Sequence, residues 1–472
     1  MKKLISVLLS LAMLLVFAGC GSGSTADTTA QAGASTAAAL PDLSVGYGRV
    51  SIVPKNPVAL SHSQQATYSA VFEEVYMTCV AITDGDANTL LLLTADLSNH
   101  TEQLKISVLR KVSEATGVPE SNISYSVTHN HSGTAPTGTM VPVLEKAAVE
   151  SAQQALEDRS AAELYIGTTY PEGLSFIRHY KTADGYWVGD NYYSPTGSSA
   201  VEHGREPDKA MQLMRFDRAG RQSVLMVNWQ AHGVYSYYLE HLCADYVGPF
   251  RTEVEDKLDC LVAFYLGGAG NINPWSNFGS KNISERTLGG MIDYGKALAQ
   301  YPIDANDSLT KVETGKVSVA STEYTAKTRR DTGDYVMAVL KFKEAYETGA
   351  TESEACAASG GIVHGIHGAN RVQWRADRPD EEKIPVSVAG IGSVGFIMAP
   401  YEMFDDSALA ITEGSPFEMT FILAYTNGGY GYIPSLPCYE HGCYEEETTY
   451  YAKGTAEELV DTFLDLLNQL ER

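Results

Sequence analysis

At 472 residues, 44% of them hydrophobic and 19% charged, the chain can bury a large core and is not a disordered polymer. Its 58 Asp and Glu against 34 Lys and Arg give a formal net charge of −24, which repels nucleic acid and anionic membrane surfaces. Contact with lipid must then come from an anchor or an apolar groove, and nucleic acid is excluded as a partner.

The N-terminus supplies such an anchor. Lys2 and Lys3 precede an apolar run from Leu4 to Ala18 that meets Gly19-Cys20. A basic start, a short apolar stretch and a small residue before cysteine make residues 1–19 a lipoprotein signal peptide, with Cys20 the lipidated residue left after cleavage. The run falls short of the roughly 20 residues that a membrane span needs. Residues 20–40, nearly all Gly, Ser, Thr, Ala and Gln after the cysteine, form a flexible tether, and 41–472 is the folded body. The expected address is therefore the extracytoplasmic side of the cell membrane. Export permits disulfides: Cys438 and Cys443 bracket a short segment and are the expected pair, whereas Cys79 and Cys260 sit in apolar runs that suit buried thiols. No zinc-finger cysteine spacing occurs, so other residues must hold any metal.

Along the body, strand-like runs cover Met77–Thr83 and Leu90–Ala95. The spacing of Leu104, Val108, Leu109 and Val112 predicts a helix from Glu102 to Thr116, closed by Gly117 and Pro119. Ile123–Val127 alternates apolar and polar residues like a half-buried strand and runs into Thr128-His129-Asn130-His131-Ser132-Gly133. If the backbone stays extended there, His129 and His131 face one cavity, one to bind a metal and the other to handle protons. A helix follows around Val141–Glu157, then strands at Ala162–Ile166, Gln212–Phe216, Ser223–Trp229 and Leu261–Leu266. Helices are expected at Pro249–Leu258, Leu288–Gln300 and Asp334–Thr348, and strands at Val386–Val388, Val394–Met398 and Phe417–Ala424. A last helix, Glu457–Leu470, has a capping box in Thr455 and Glu458 and an apolar stripe of Leu459, Phe463, Leu466 and Leu470. Strands and helices interleave throughout, which specifies an α/β fold of mixed sheets flanked by helices. His364-Gly365-Ile366-His367-Gly368 is a rival histidine cluster whose glycines favour a loop, Tyr425 to Cys443 reads as an aromatic loop at the mouth of a site, and the acidic run Glu445–Glu447 as solvated surface.

Several of these segments recur in one order elsewhere. Val45-Gly46-Tyr47-Gly48-Arg49-Val50, Ala95-Asp96-Leu97, the Thr128–Gly133 segment, Asn228-Trp229-Gln230-Ala231-His232, Gly270-Asn271-Ile272-Asn273-Pro274, Pro400-Tyr401-Glu402 and Gly431-Tyr432-Ile433-Pro434 together resemble the neutral/alkaline, non-lysosomal ceramidase family. The resemblance spans roughly residues 45 to 435. It implies the catalytic-domain fold of that family, without the immunoglobulin-like domain that usually follows it. It also implies a zinc centre on His129, His232, Glu402 and Tyr432, with His131 as proton carrier and Arg178 stabilising a developing oxyanion. Where the family has Asp and Ser in its Gly-rich loop this chain has Asn271 and Asn273, and an asparagine amide is no nucleophile. The implied activity is zinc-dependent hydrolysis of an amide bond in a ceramide-like N-acyl lipid by metal-activated water, with Asn273 positioning substrate. The alternatives are a hydrolase of another N-acyl or cell-wall substrate, and a metal-containing binding lipoprotein that catalyses nothing.

Overall fold

In the computed structural model the described residues are 41–61, 67–185, 187–189, 200–236, 239–276, 287–442 and 444–471. The expected signal peptide and tether, with Cys20, and Cys443 lie outside them. Eight strands rich in Leu, Val and Ile build the main sheet: β1 (Leu43–Ser51), β2 (Tyr76–Asp84), β3 (Thr89–Ala95), β4 (Ile123–Val127), β5 (Ser160–Thr169), β6 (Met211–Arg218), β7 (Val224–Trp229) and β8 (Leu261–Leu266). Their order across the sheet is β8-β7-β6-β5-β1-β2-β3-β4, and the short strand Thr310–Val312 also pairs with β5. A second sheet runs β9 (Val317–Lys327), β10 (Glu381–Ile391), β11 (Val394–Met398), β12 (Met419–Leu423) in spatial order. Most neighbours are antiparallel, but β3–β4, β7–β8 and β11–β12 are parallel.

The sheets face one another across a dry core that includes Val45, Val80, Leu92, Met226, Tyr265, Phe396 and Phe421. Helices α1 (Glu102–Thr116) and α2 (Met140–Glu157) pack on the outer face of the β1–β4 half. Helices Val247–Leu258 and Leu288–Ala305 cover the β6–β8 half, and Thr455–Leu467 covers the second sheet. The result is four layers, helix, sheet, sheet, helix, in agreement with the α/β expectation. Among the described residues no helix is long and apolar enough to cross a membrane.

Helix α1 forms as its sequence specifies: Thr101 caps Leu104 N, Leu104, Val108 and Val112 are buried, and Gly117 ends it at φ 76°. Two local expectations fail. The serines of β4 are as buried as its apolar residues, because the strand is covered on both faces and Ser126 Oγ donates to Leu93 O at 2.8 Å. Thr455 caps nothing; Gly454, at φ 97°, precedes the helix, and the Thr455 hydroxyl donates to Ala452 O at 2.8 Å. Cys79, Cys243, Cys260, Cys356 and Cys438 are buried free thiols.

The Gly-x-Gly of β1 has a steric cause. A Cβ on Gly46 would sit 1.9 Å from Ala155 O and one on Gly48 2.0 Å from Ser151 O, so α2 can lie against the strand only where side chains are missing. Gly46→Ala should therefore lower unfolding free energy by about 3 kcal/mol, the upper end of overpacking costs. Gly333→Ala, with open space around its Cβ, should change it by less than about 0.5 kcal/mol in the same denaturant titration. Equal effects would refute the close-approach explanation.

Candidate metal centre

The three parallel strand pairs set the site. Each pair ends level, Ala95 beside Val127, Trp229 beside Leu266 and Met398 beside Leu423, so six loops leave from carboxyl ends. In open α/β sheets this is where ligands bind. Backbone hydrogen bonds then tie the loops together: His131 N to Gly233 O at 2.8 Å, His232 N to Ile272 O at 3.1 Å, Gly270 N to Met403 O at 2.7 Å and Glu402 N to Gly431 O at 2.9 Å. At Gly270 a Cβ would stand 2.7 Å from Glu402 O, so a larger residue would force these loops apart.

His129 and His131 do converge, but not by strand alternation. His129 is left-handed at φ 54°, and that bend, not an extended backbone, brings its Nε2 to 3.4 Å from His131 Nε2. Tyr425, at φ 50°, stacks on the His129 ring with centroids 4.3 Å apart. Two aromatic residues in this sparsely populated region, in contact, mark a locally strained site. His129, His131 and His232 form a group whose donor nitrogens lie within 4.8 Å of one another. Glu402 joins them, its Oε2 being 3.2 Å from His232 Nε2 and 3.5 Å from His129 Nε2.

The protonation pattern is decisive. His129 Nδ1 meets Ser98 O and His232 Nδ1 meets Ile272 O at 3.1 Å, and carbonyl oxygens only accept. Each Nδ1 is therefore placed to donate. Burial, helped by Arg178, pushes His232 down to about 4, so the ring is neutral at neutral pH. Burial pushes the Glu402 carboxyl up, but contacts with His129 and His232 outweigh it and hold it well below the usual carboxylate range. Two imidazole nitrogens and a carboxylate thus converge in a buried site, a donor set that suits a cation such as zinc.

Tyr432 reaches the centre through the short strand Tyr432–Ile433, where it pairs in register with Glu402. Its hydroxyl accepts from Arg178 Nη2 at 3.0 Å, and burial raises its pKa well above the ordinary tyrosine value despite that cation. Arg178 is buried, not a surface ion pair: Nη2 also donates to Gly270 O at 2.9 Å, and Nε donates to Glu445. Glu445 and Glu447 are in fact buried, the opposite of the solvated run expected, because Arg178, His179 and His364 supply partners. Sequence reasoning missed Glu445 and also Tyr444, whose ring lies 5.7 Å from that of Tyr432 and whose hydroxyl burial pushes up to about 12. Tyr425, expected only as the start of an aromatic loop at the mouth of the site, stacks on His129 within it; like His129 it lies just past a strand end. The His364–Gly368 segment straddles a helix start at Ile366. His364 is held by Glu447, and His367 touches the Tyr444 ring at 6.0 Å, so the segment borders the centre without joining it.

Asn273 is buried on the two-residue strand Ile272–Asn273 beside Phe176. Asn271 has a different task. Its amide donates to Asp405 Oδ1 at 2.8 Å while its oxygen accepts from Asp405 N at 3.0 Å, clamping the glycine loop to the helix Asp405–Gly414.

Comparison with solved structures agrees with this architecture. A crystal structure of neutral ceramidase from Pseudomonas aeruginosa superposes with a TM-score of 0.68 at 16% sequence identity, covering 90% of this chain and 74% of that one. A ceramidase structure described as complexed with C2 gives a TM-score of 0.68 at 15% identity, covering 90% and 75%. No family model matches the chain, and neither does any curated protein. The fold is ceramidase-like, as the sequence resemblance implied.

The Asn271 clamp gives a pH-dependent test. Asn271→Asp would set two carboxylates in contact, raising the folded-state pKa of one above its unfolded value. Such a group stabilises only while protonated, so the variant should match the parent near pH 4 and fall about 2 kcal/mol below it near pH 7. Adding Asp405→Asn should recover part of the loss. Thermal unfolding across pH measures this, and a deficit equal at all pH values would contradict it.

Proposed function

We propose that this chain is a zinc-dependent hydrolase that cleaves the amide bond of a ceramide-like N-acyl lipid. The observation that carries the reading is the convergence of His129 Nε2, His232 Nε2 and the Glu402 carboxylate, on a fold shared with solved ceramidases. In the proposal these three residues and the Tyr432 hydroxyl hold the ion. Zinc supplies Lewis acidity, polarising the scissile carbonyl and bringing the pKa of water to about 7.

The chain's own residues account for the rest. Glu445 and Gly270 O fix the Arg178 guanidinium beside Tyr432, where it can stabilise negative charge developing on the carbonyl oxygen. His131, half-buried and adjacent to His129, is placed to give a proton to the leaving amine nitrogen. Asn273 cannot attack a carbonyl; its amide can hydrogen-bond the substrate beside the Arg178 strand. That difference leaves room for N-acyl compounds other than ceramide. We further propose that residues 41–472 are the catalytic body and that acylated Cys20 tethers it to the outer side of the membrane, at its lipid substrate.

The test is an assay of purified protein against a panel of N-acyl lipids with and without chelator. Activity should require zinc and vanish in His129→Ala. Asn273→Ala should cost on the order of 10² to 10³ in kcat, the range for a lost oxyanion donor, and Asn273→Ser should raise ceramide turnover. Zinc-loaded protein inert on every N-acyl substrate would leave the binding-lipoprotein reading instead. For the anchor, intact mass of membrane-extracted protein should show loss of residues 1–19 and added acyl mass on Cys20; a released, unmodified chain would refute it.

A further inference from the structure

Beyond that centre, the geometry points to a second metal site, built from His179, Cys438 and Glu445 and suited to a divalent ion of the zinc class. The three residues are buried and come from separate elements: the strand His179–Thr182, the helix Leu436–His441 and the helix Tyr444–Thr448. One donor atom from each lies within 4.8 Å of the others. His179 Nε2 and Glu445 Oε2 are 2.8 Å apart, while Arg178 takes the other carboxylate oxygen. Zinc bonds of about 2.0–2.3 Å to nitrogen, oxygen and sulfur need donors roughly 3.3–3.8 Å apart, so shifts of about 1 Å or less convert this group into a coordination shell.

The donor types choose the metal. Imidazole, thiolate and a single carboxylate suit zinc, cobalt or iron; calcium and magnesium require oxygen ligands. Burial, reinforced by the neighbouring carboxylates of Glu445 and Glu446, holds the Cys438 thiol well above its ordinary pKa. A thiolate there therefore requires a cation, and metal uptake releases the proton.

No residue of this group is a ligand in the first centre, yet the two are linked. Glu445 grips Arg178, which donates to the Tyr432 hydroxyl. An ion on His179, Cys438 and Glu445 would pin the helices Leu436–His441 and Tyr444–Thr448 to the strand that begins beside Arg178. Its role is structural: it fixes the wall of the first centre.

Cobalt(II) tests this without recourse to activity. Metal-free full-length protein titrated with cobalt should show a near-ultraviolet thiolate-to-cobalt charge-transfer band, which the first centre, having no sulfur ligand, cannot produce. The band should persist in His129→Ala and disappear in Cys438→Ser. His179→Gln should weaken the cobalt affinity read from the band by more than the roughly 10- to 100-fold that loss of an outer-shell partner costs. The wild-type spectrum decides the matter even if a variant does not fold: absence of the band at saturating cobalt overturns the site, as does a band that survives Cys438→Ser. Because the band reports sulfur alone, its presence or absence is independent of whether the first centre binds zinc.

Discussion

Acceptor atoms do not crowd together in a dry interior unless something positive lies among them. His129 and His232 each direct Nδ1 to a backbone carbonyl, and their Nε2 atoms converge on an ionised Glu402. Nothing local in the sequence joins the loops that bear these groups. Instead they are bound to one another through backbone hydrogen bonds and held by buried aromatic rings. Much of the architecture around the site is explicable as the means of holding those donor atoms in place.

Three parallel strand pairs in two facing sheets end at one edge, and the loops that follow them bring together residues as distant in sequence as His129 and Tyr432. The left-handed backbone at His129 and Tyr425 turns each ring toward the other. His100 assists: burial pushes it down to about 4, so it stays neutral, stacked on Tyr125 and 3.3 Å from Tyr425 O. Beside the centre a chain of polar contacts runs from Glu445 through Arg178 to Tyr432. That chain joins the centre to the chemistry proposed at Cys438.

The sequence made local features legible. Helix α1 carries its own cap, apolar stripe and terminal glycine, and the strands from Met77 to Val127 are runs that leave little choice of structure. Motif order carried more than any single motif, placing His129, His232 and Glu402 together across 273 positions or fewer of chain. Features that depend on distant partners were not legible. Two-residue strands such as Glu402–Met403 with Tyr432–Ile433 have no periodicity to read. The bend at His129 is imposed by its neighbours, since nothing in Thr-His-Asn-His requires φ > 0. An acidic run is ordinarily solvated; Glu445 and Glu447 are buried because Arg178, His179 and His364 meet them from far along the chain. Asn271, unexplained as a departure from Asp, makes sense once Asp405 is seen opposite.

The most direct measurement is anomalous diffraction at the zinc edge from crystals of protein purified without chelator. A zinc peak is expected bounded by His129 Nε2, His232 Nε2 and the Glu402 carboxylate, at about 2.0–2.2 Å from each. Density with no anomalous signal there, and those three groups joined by ordinary hydrogen bonds or water alone, would contradict it.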